Sequence, residues 1–164
     1  MYTPTAQLLL NTPIGDCLLE GQANKVAKIQ FGNDLAAALP ASSLLHMVGQ
    51  ALQAYFAGTQ EKFELDWFLL QGTPFQQQVW QALWNIPYGR TRSYKDIGIL
   101  IENKKAVRAI GRCVGQNPLP IVVPCHRVIG SNGTLTGFAY GLTIKRWLLE
   151  LEQSKHYGKQ QCLF

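Results

Sequence analysis

Over the first seventy residues the apolar positions come in short runs broken by turn residues. Gln7 to Leu10, Asp16 to Glu20 and Val26 to Phe31 have the length and apolar content of strands. The segments between them, TPIGD and EGQANK, are rich in residues that favour turns. A helical spacing follows, with Leu44, Val48, Leu52 and Tyr55 on one face, Ser42 or Ser43 placed as the N-cap and Gly58 as the stop. Phe63 to Leu70 reads as a last strand.

The pattern changes at QGTPFQQQVWQALWNIPYG. Thr73 and Pro74 look like an N-cap and a first-turn proline, Phe75, Val79, Ala82 and Leu83 keep helical spacing, and Pro87 and Gly89 end the helix. From there the pattern is helical to Glu152, interrupted by the proline-bearing strip around Cys125. TRSYKDIGILIENKKAVRAIGRCVGQ reads as helix, turn and helix. Ser93 caps the first with Asp96 reaching back, and Asn103 caps the second, whose apolar stripe is Ala106, Ile110, Cys113 and Val114. The expected class is therefore α/β (α+β). A small α/β domain covers residues 1–71, a mostly helical domain 72–155, and a tail 156–164.

An apolar fraction of 47% fits a globular protein and is too high for a disordered one. No apolar run approaches a membrane span, and the N-terminal stretch lacks a charged region followed by a long apolar one, so a cytoplasmic location is expected. Cys17, Cys113, Cys125 and Cys162 are scattered, and the three histidines show no ligand spacing, so neither a disulfide framework nor a metal is expected. His46 and His156 read as ordinary surface or helix residues.

Charge adds a partner. Between Gly89 and Arg146 ten basic residues face two acids, net +8, whereas the rest of the chain carries −3. A basic half attached to a slightly acidic one points to a polyanion, most simply nucleic acid, with a solvated basic surface as the bland alternative. On the second helix of the hairpin, Arg108, Gly111, Arg112 and Gly115 share the polar face. Each such glycine costs about 1 kcal/mol against alanine, so something approaches the backbone closely: a duplex, or a neighbouring helix.

The chemistry centres on PIVVPCHRVIG, Pro120 to Gly130. Pro118, Pro120 and Pro124 stiffen the approach to Cys125, and Asn117 is placed to bond turn backbone. His126 and Arg127 follow Cys125 directly, and a basic neighbour favours the reactive thiolate. Adjacent side chains point apart, so His126 acts on Cys125 through a water. In LTIKRWLLELEQ the apolar stripe is Ile144, Trp147, Leu148 and Leu151, with Glu152 at its edge. Glu152 there either orients the imidazole or lies exposed, and periodicity leaves both open. A thioester-forming hydrolase and direct attack on an alkyl carbon both remain.

In this order, GTPFQQQVWQAL, IPYGRTRSYKDI, AVRAIG, NPLPIVVPCHRVIG and GLTIKRWLLELE resemble the methylated-DNA–protein-cysteine methyltransferases, the 6-O-alkylguanine-DNA alkyltransferases. The likeness is dense from Gly72 to Glu152 and weaker at TPIG and the strands after it. It implies a ribonuclease-H-like N-terminal sheet and a winged helix-turn-helix-like DNA-binding motif. It implies irreversible transfer of an alkyl group from O-6 of guanine, or less efficiently O-4 of thymine, in double-stranded DNA to Cys125. No cofactor is implied, and a monomer acting once is expected. By resemblance the relay falls on Cys125, His126 and Glu152, and the structural asparagine on Asn117. The tyrosine that protonates the leaving base falls on Tyr94, and the arginine that replaces the flipped nucleotide on Arg108. DNA contacts fall on Tyr94, Lys95, Asn103 and Ser131, and the substrate pocket on Val128, Phe138, Ala139 and Tyr140. Phe138 stands where many relatives carry tyrosine and Tyr140 where glycine is usual, so bulky alkyl groups are expected to react poorly. The zinc ligands of some relatives are absent. A non-catalytic lesion binder is the alternative, disfavoured because the cysteine is kept.

Overall fold

In the computed structural model, which describes residues 2–156, the chain divides into two compact units, Met1–Gln71 and Gly72–Phe164. The first unit is built on an antiparallel meander of β1 (Ala6–Thr12), β2 (Gly15–Gln22) and β3 (Lys25–Gly32), in that spatial order. Ala23 and Asn24, with φ of 51° and 56°, form the two-residue turn between β2 and β3. Both residues left-handed is the turn whose twist matches that of the flanking strands. Helix α1 (Ser43–Phe56) is capped by Ser42, whose hydroxyl accepts from the Leu45 amide. It packs on the sheet so closely that a Cβ on Gly49 would lie 3.0 Å from Leu10. Cys17, Leu19, Leu45, Val48, Leu52 and Tyr55 are fully buried in this core, and burial pushes the Cys17 thiol up to about 12.

The strand expected over Phe63 to Leu70 does not form. A 3-10 turn, Leu65–Trp67, occupies its middle, and only Phe68 bridges to Val26 of β3. Phe63 packs against the rings of Tyr55 and Phe68, at centroid distances of 6.1 and 6.2 Å. Aromatic content signals a half-buried packing surface, which here is an aromatic cluster and not a ladder.

In the second unit α2 (Pro74–Trp84) starts at a full capping box between Thr73 and Gln76, with Pro74 in the first turn. Helix α3 (Tyr94–Leu100) has the same device in Ser93 and Asp96. Helix α4 (Val107–Gly115) begins later than Asn103 would place it, and its N-cap residue, Ala106, makes no side-chain cap bond. Glu102, at φ 57°, ends α3 in a turn that consumes residues 102–106, and the Asn103 carbonyl accepts from the Ala106 amide inside that turn. Two-residue strands β4 (Arg92–Ser93) and β5 (Val128–Ile129) pair in parallel, and α5 (Leu142–His156) ends the described chain. Most of the expected tail lies outside the described residues. No helix among those residues is long and apolar enough to cross a membrane.

The helical pattern also fails between α4 and α5, where the regular structure described is a 3-10 turn, Cys125–Arg127, and β5. Prolines at 118, 120 and 124 lack the amide hydrogen a helix needs. Yet residues 119–128 are all buried, so their backbone groups need partners outside helix and sheet. Asn117 supplies two: its Nδ2 donates to the Val123 carbonyl at 2.7 Å and its Oδ1 accepts from the Leu119 amide at 3.0 Å. The clamp spans Ile121, held at φ 72° although β-branched, a conformation costing about 1–3 kcal/mol. Asn117→Ala should lower the unfolding free energy by about 1–3 kcal/mol. A urea midpoint that falls at unchanged slope would show it, and an unchanged midpoint would deny the clamp its role.

Candidate active site

Helix α5 shows how the site is positioned. Its buried line is Lys145, Leu148, Leu149 and Glu152, spaced as one helical face, while Ile144, Trp147 and Leu151 are only half-buried. The face is thus rotated from the apolar stripe read in the sequence, because two charged side chains occupy it. Both are fully buried.

Glu152 collects hydrogen bonds from three segments. Its Oε1 lies 2.7 Å from His126 Nε2 and accepts from Arg127 Nη2 at 3.0 Å. Its Oε2 accepts from Arg127 Nε at 2.8 Å and from the Gly89 amide at 3.1 Å. Arg127 also donates to the Ile86 carbonyl at 2.6 Å, with its guanidinium 5.6 Å from the Tyr88 ring centroid. Burial works against the charge on Glu152. His126 and the Arg127 guanidinium overcome it and hold the carboxyl well below the usual carboxylate range. Burial likewise holds the His126 imidazole below its ordinary value, against the pull of Glu152. With Glu152 ionised and His126 neutral, Nε2 carries the imidazole hydrogen.

Cys125 opens the 3-10 turn and is 6% exposed, at the floor of a cavity of about 210 Å³. That is smaller than the roughly 300–1,000 Å³ of drug-sized sites and suits one flat heterocycle. Burial pushes the thiol up, while the Asn117 amide, the Lys145 charge and nearby backbone N–H groups pull it back. One wall is Tyr94, the first residue of α3, with Gly111 and Gly115 of α4. The other is Phe138, Ala139 and Tyr140, the two rings meeting edge to face at 5.7 Å. The Tyr94 hydroxyl donates to the Thr136 carbonyl at 3.2 Å.

One cavity therefore collects Cys125, Asn117, Tyr94, Phe138, Ala139 and Tyr140, with His126 and Glu152 joined and buried. Val128 is fully buried and does not line it. Lys95 and Ser131 border one shallow depression, and Asn103 and Arg108 are exposed on the turn before α4 and on α4 itself. Protein packing does not demand the two glycines of α4: a Cβ on Gly115 would meet nothing within 4 Å, and one on Gly111 only Tyr94, at 3.9 Å. Among the described residues no group of His, Cys, Asp and Glu can hold a metal.

Residues 74–154 match the family model described as 6-O-methylguanine DNA methyltransferase, DNA binding domain. The methylated-DNA–protein-cysteine methyltransferase of Methanosarcina barkeri is 41% identical over 152 residues, covering 89% of this chain and 96% of that protein. The constitutive one of Bacillus subtilis is 53% identical over 111 residues, 67% of each chain. The crystal structure of Mycobacterium tuberculosis O6-methylguanine methyltransferase superposes with a TM-score of 0.81 at 40% identity, covering 91% of this chain and 93% of that one. The complex of the Mycobacterium tuberculosis protein with DNA gives 0.79 at 41% identity, over 90% and 92%.

The chain belongs to the methylated-DNA–protein-cysteine methyltransferase family.

Periodicity does not reveal the burial of two basic residues: Arg127, which the sequence sets beside Cys125 as a basic neighbour, and Lys145, which it leaves among the ten basic residues. Arg127 is 6% exposed and belongs to Glu152. Lys145 is fully buried, and its Nζ donates to the carbonyls of Val128, Thr136 and Gly137 at 2.6, 3.0 and 3.1 Å. Burial pushes the lysine down to about 8, against the pull of Cys125. Its ammonium therefore weakens the fold at neutral pH, and the loss is recovered only as pH rises from about 8 toward the ordinary lysine value near 10.4. Its position three residues before Leu148 and seven before Glu152, on one helical face, was the available signal.

The acid limb of stability follows from the depressed values of His126 and Glu152. The unfolded chain takes up these protons first, so the contribution is complete above about pH 6.5 and falls through the imidazole range and then the carboxylate range near 4.3. Glu152→Gln should remove the carboxylate part of that limb, below about pH 4.3, and cost about 3–5 kcal/mol at neutral pH, because it strips Arg127 of its counter-charge. Urea midpoints from about pH 2 to 7 measure both; an equally steep fall below about pH 4 in the variant would contradict the assignment.

Proposed function

We propose that the chain repairs DNA by direct reversal, moving the alkyl group from O-6 of guanine, and more slowly O-4 of thymine, onto Cys125. The observation that carries this reading is a cysteine at the floor of a base-sized cavity, backed by a buried histidine–glutamate–arginine array. The Cys125 proton passes through a water to Nδ1 of His126, whose Nε2 is held by Glu152, and the thiolate sulfur attacks the alkyl carbon. The carbon–oxygen bond breaks, its electron pair goes to the base, and the Tyr94 hydroxyl lends the base a proton that the imidazolium restores. A thioether results. It is not hydrolysed, so each molecule acts once.

Asn117 keeps the cysteine segment in register. Helix α4 enters the minor groove, Gly111 and Gly115 let its backbone approach, and Arg108 fills the gap of the flipped nucleotide. Lys95, Asn103 and Ser131 hold the DNA backbone, so sequence specificity is low and affinity falls with salt. Phe138, Ala139 and Tyr140 sandwich the base with Val128 behind, and the Tyr140 ring restricts the alkyl groups admitted. The protein works as a monomer.

Duplex DNA containing O6-methylguanine should add one methyl group per molecule, read by intact mass, and Cys125→Ala should add none. Repeated turnover without an adduct would refute the transfer. Gly111→Ala should raise the thermal midpoint, by up to about 1 kcal/mol of helix propensity. It should slow repair of the duplex far more than reaction with the free base O6-methylguanine. Equal slowing of both reactions would remove the groove role of α4.

A further inference from the structure

Lys145 has no place in the reaction just described, yet it is fully buried. All three ammonium hydrogens are used, and every partner is a neutral carbonyl: Val128 of β5, then Thr136 and Gly137. The buried carboxylate on the same face of α5, Glu152, is engaged by His126, Arg127 and the Gly89 amide. An apolar side chain of the same length would cost the fold less than this ammonium. Its Val128 acceptor directly follows the Cys125–Arg127 turn and its Gly137 acceptor lines the same cavity as Cys125, so its charge acts on Cys125 and His126, and the Tyr94 hydroxyl shares its Thr136 acceptor.

Charge balance shows what the lysine does. With Cys125 protonated and His126 neutral, Arg127 and Lys145 outweigh Glu152, and the buried cluster carries one positive charge in excess. Ionising Cys125 and letting its proton leave cancels that excess. Keeping the proton on His126 leaves the total unchanged but still sets the sulfur anion beside the ammonium. Gly137 lines the cavity and leads directly into Phe138, Ala139 and Tyr140, so the same three bonds tie that wall to β5.

We propose that Lys145 is a positioning residue for Cys125: its buried ammonium favours the thiolate and, through three carbonyls, holds the opposing wall at the distance the base requires. The proposal rests on Cys125 as the alkyl acceptor. Lys145 neither gives nor takes a proton in the step. Because coupling between two titrating groups is reciprocal, whatever Lys145 does to the sulfur, the sulfur does to Lys145. Once Cys125 is a thioether no anion can form there, and the ammonium holds its proton less tightly.

Two readouts that need no DNA test this. The first is the pH profile of carboxamidomethylation by iodoacetamide, followed at the peptide containing Cys125. Lys145→Met should raise the thiol midpoint by about one pH unit or more, a roughly tenfold slower reaction below it, and Lys145→Arg should restore most of the difference. The second needs no change at Lys145: its Nζ titration by NMR in the unaltered protein and in Cys125→Ser. The midpoint should fall in Cys125→Ser. An identical Lys145 midpoint in the two proteins overturns the proposal, even if Lys145→Met fails to fold. A folded Lys145→Met with an unchanged thiol midpoint overturns it as well, leaving only a wall anchor. Neither result bears on whether methyl groups are taken from DNA, which the mass measurement decides separately.

Discussion

The second unit depends on where one carboxylate sits. Glu152, without access to solvent, accepts from the imidazole of His126, from two nitrogens of Arg127 and from the amide of Gly89. Those donors come from the cysteine segment and from the turn after α2, so one residue of α5 locates both. A buried carboxylate is tolerated only when its lone pairs are satisfied, and here the full set of donors makes the arrangement all-or-none. The imidazole orientation, and through it the geometry behind Cys125, is a by-product of satisfying that charge.

The cysteine segment solves a different problem. Its prolines forbid a helix, the strand that follows it has two residues, and still it runs through the interior. The Asn117 amide imitates a missing piece of backbone, and the left-handed Ile121 is the strain the clamp holds in place. Rigidity of this kind is what a one-step attack on carbon needs, because alignment of sulfur, carbon and leaving oxygen supplies most of the rate.

Capped helices and tight hairpins were readable along the chain because their signals are local. Thr73, Ser93 and Ser42 cap where the pattern put them, and the turn at Ala23–Asn24 closes two strands. The errors share one cause, which is that tertiary partners are invisible to periodicity. Phe63 and Phe68 looked like strand residues because they pack, and Asn103 looked like a cap although the turn absorbs it. Periodicity misplaces the face of α5 because it reads Lys145 and Glu152 by polarity, while their partners lie far away in sequence. The cysteine–histidine pair was visible because the two are adjacent. The link from His126 to Glu152 spans 26 residues: the family resemblance implies it, periodicity leaves it open, and the fold makes it a 2.7 Å contact.

The 3-10 turn at Cys125–Arg127 has a consequence for how this segment tolerates change. Such a turn rotates by about 120° per residue, so three consecutive side chains leave one backbone in three directions. Cys125 looks into the cavity, His126 onto Glu152, and Arg127 across to Ile86 and Tyr88. Inserting or deleting a single residue would turn all three away from their targets together. The walls of this pocket can change one side chain at a time, whereas the length of its floor is fixed by three targets at once.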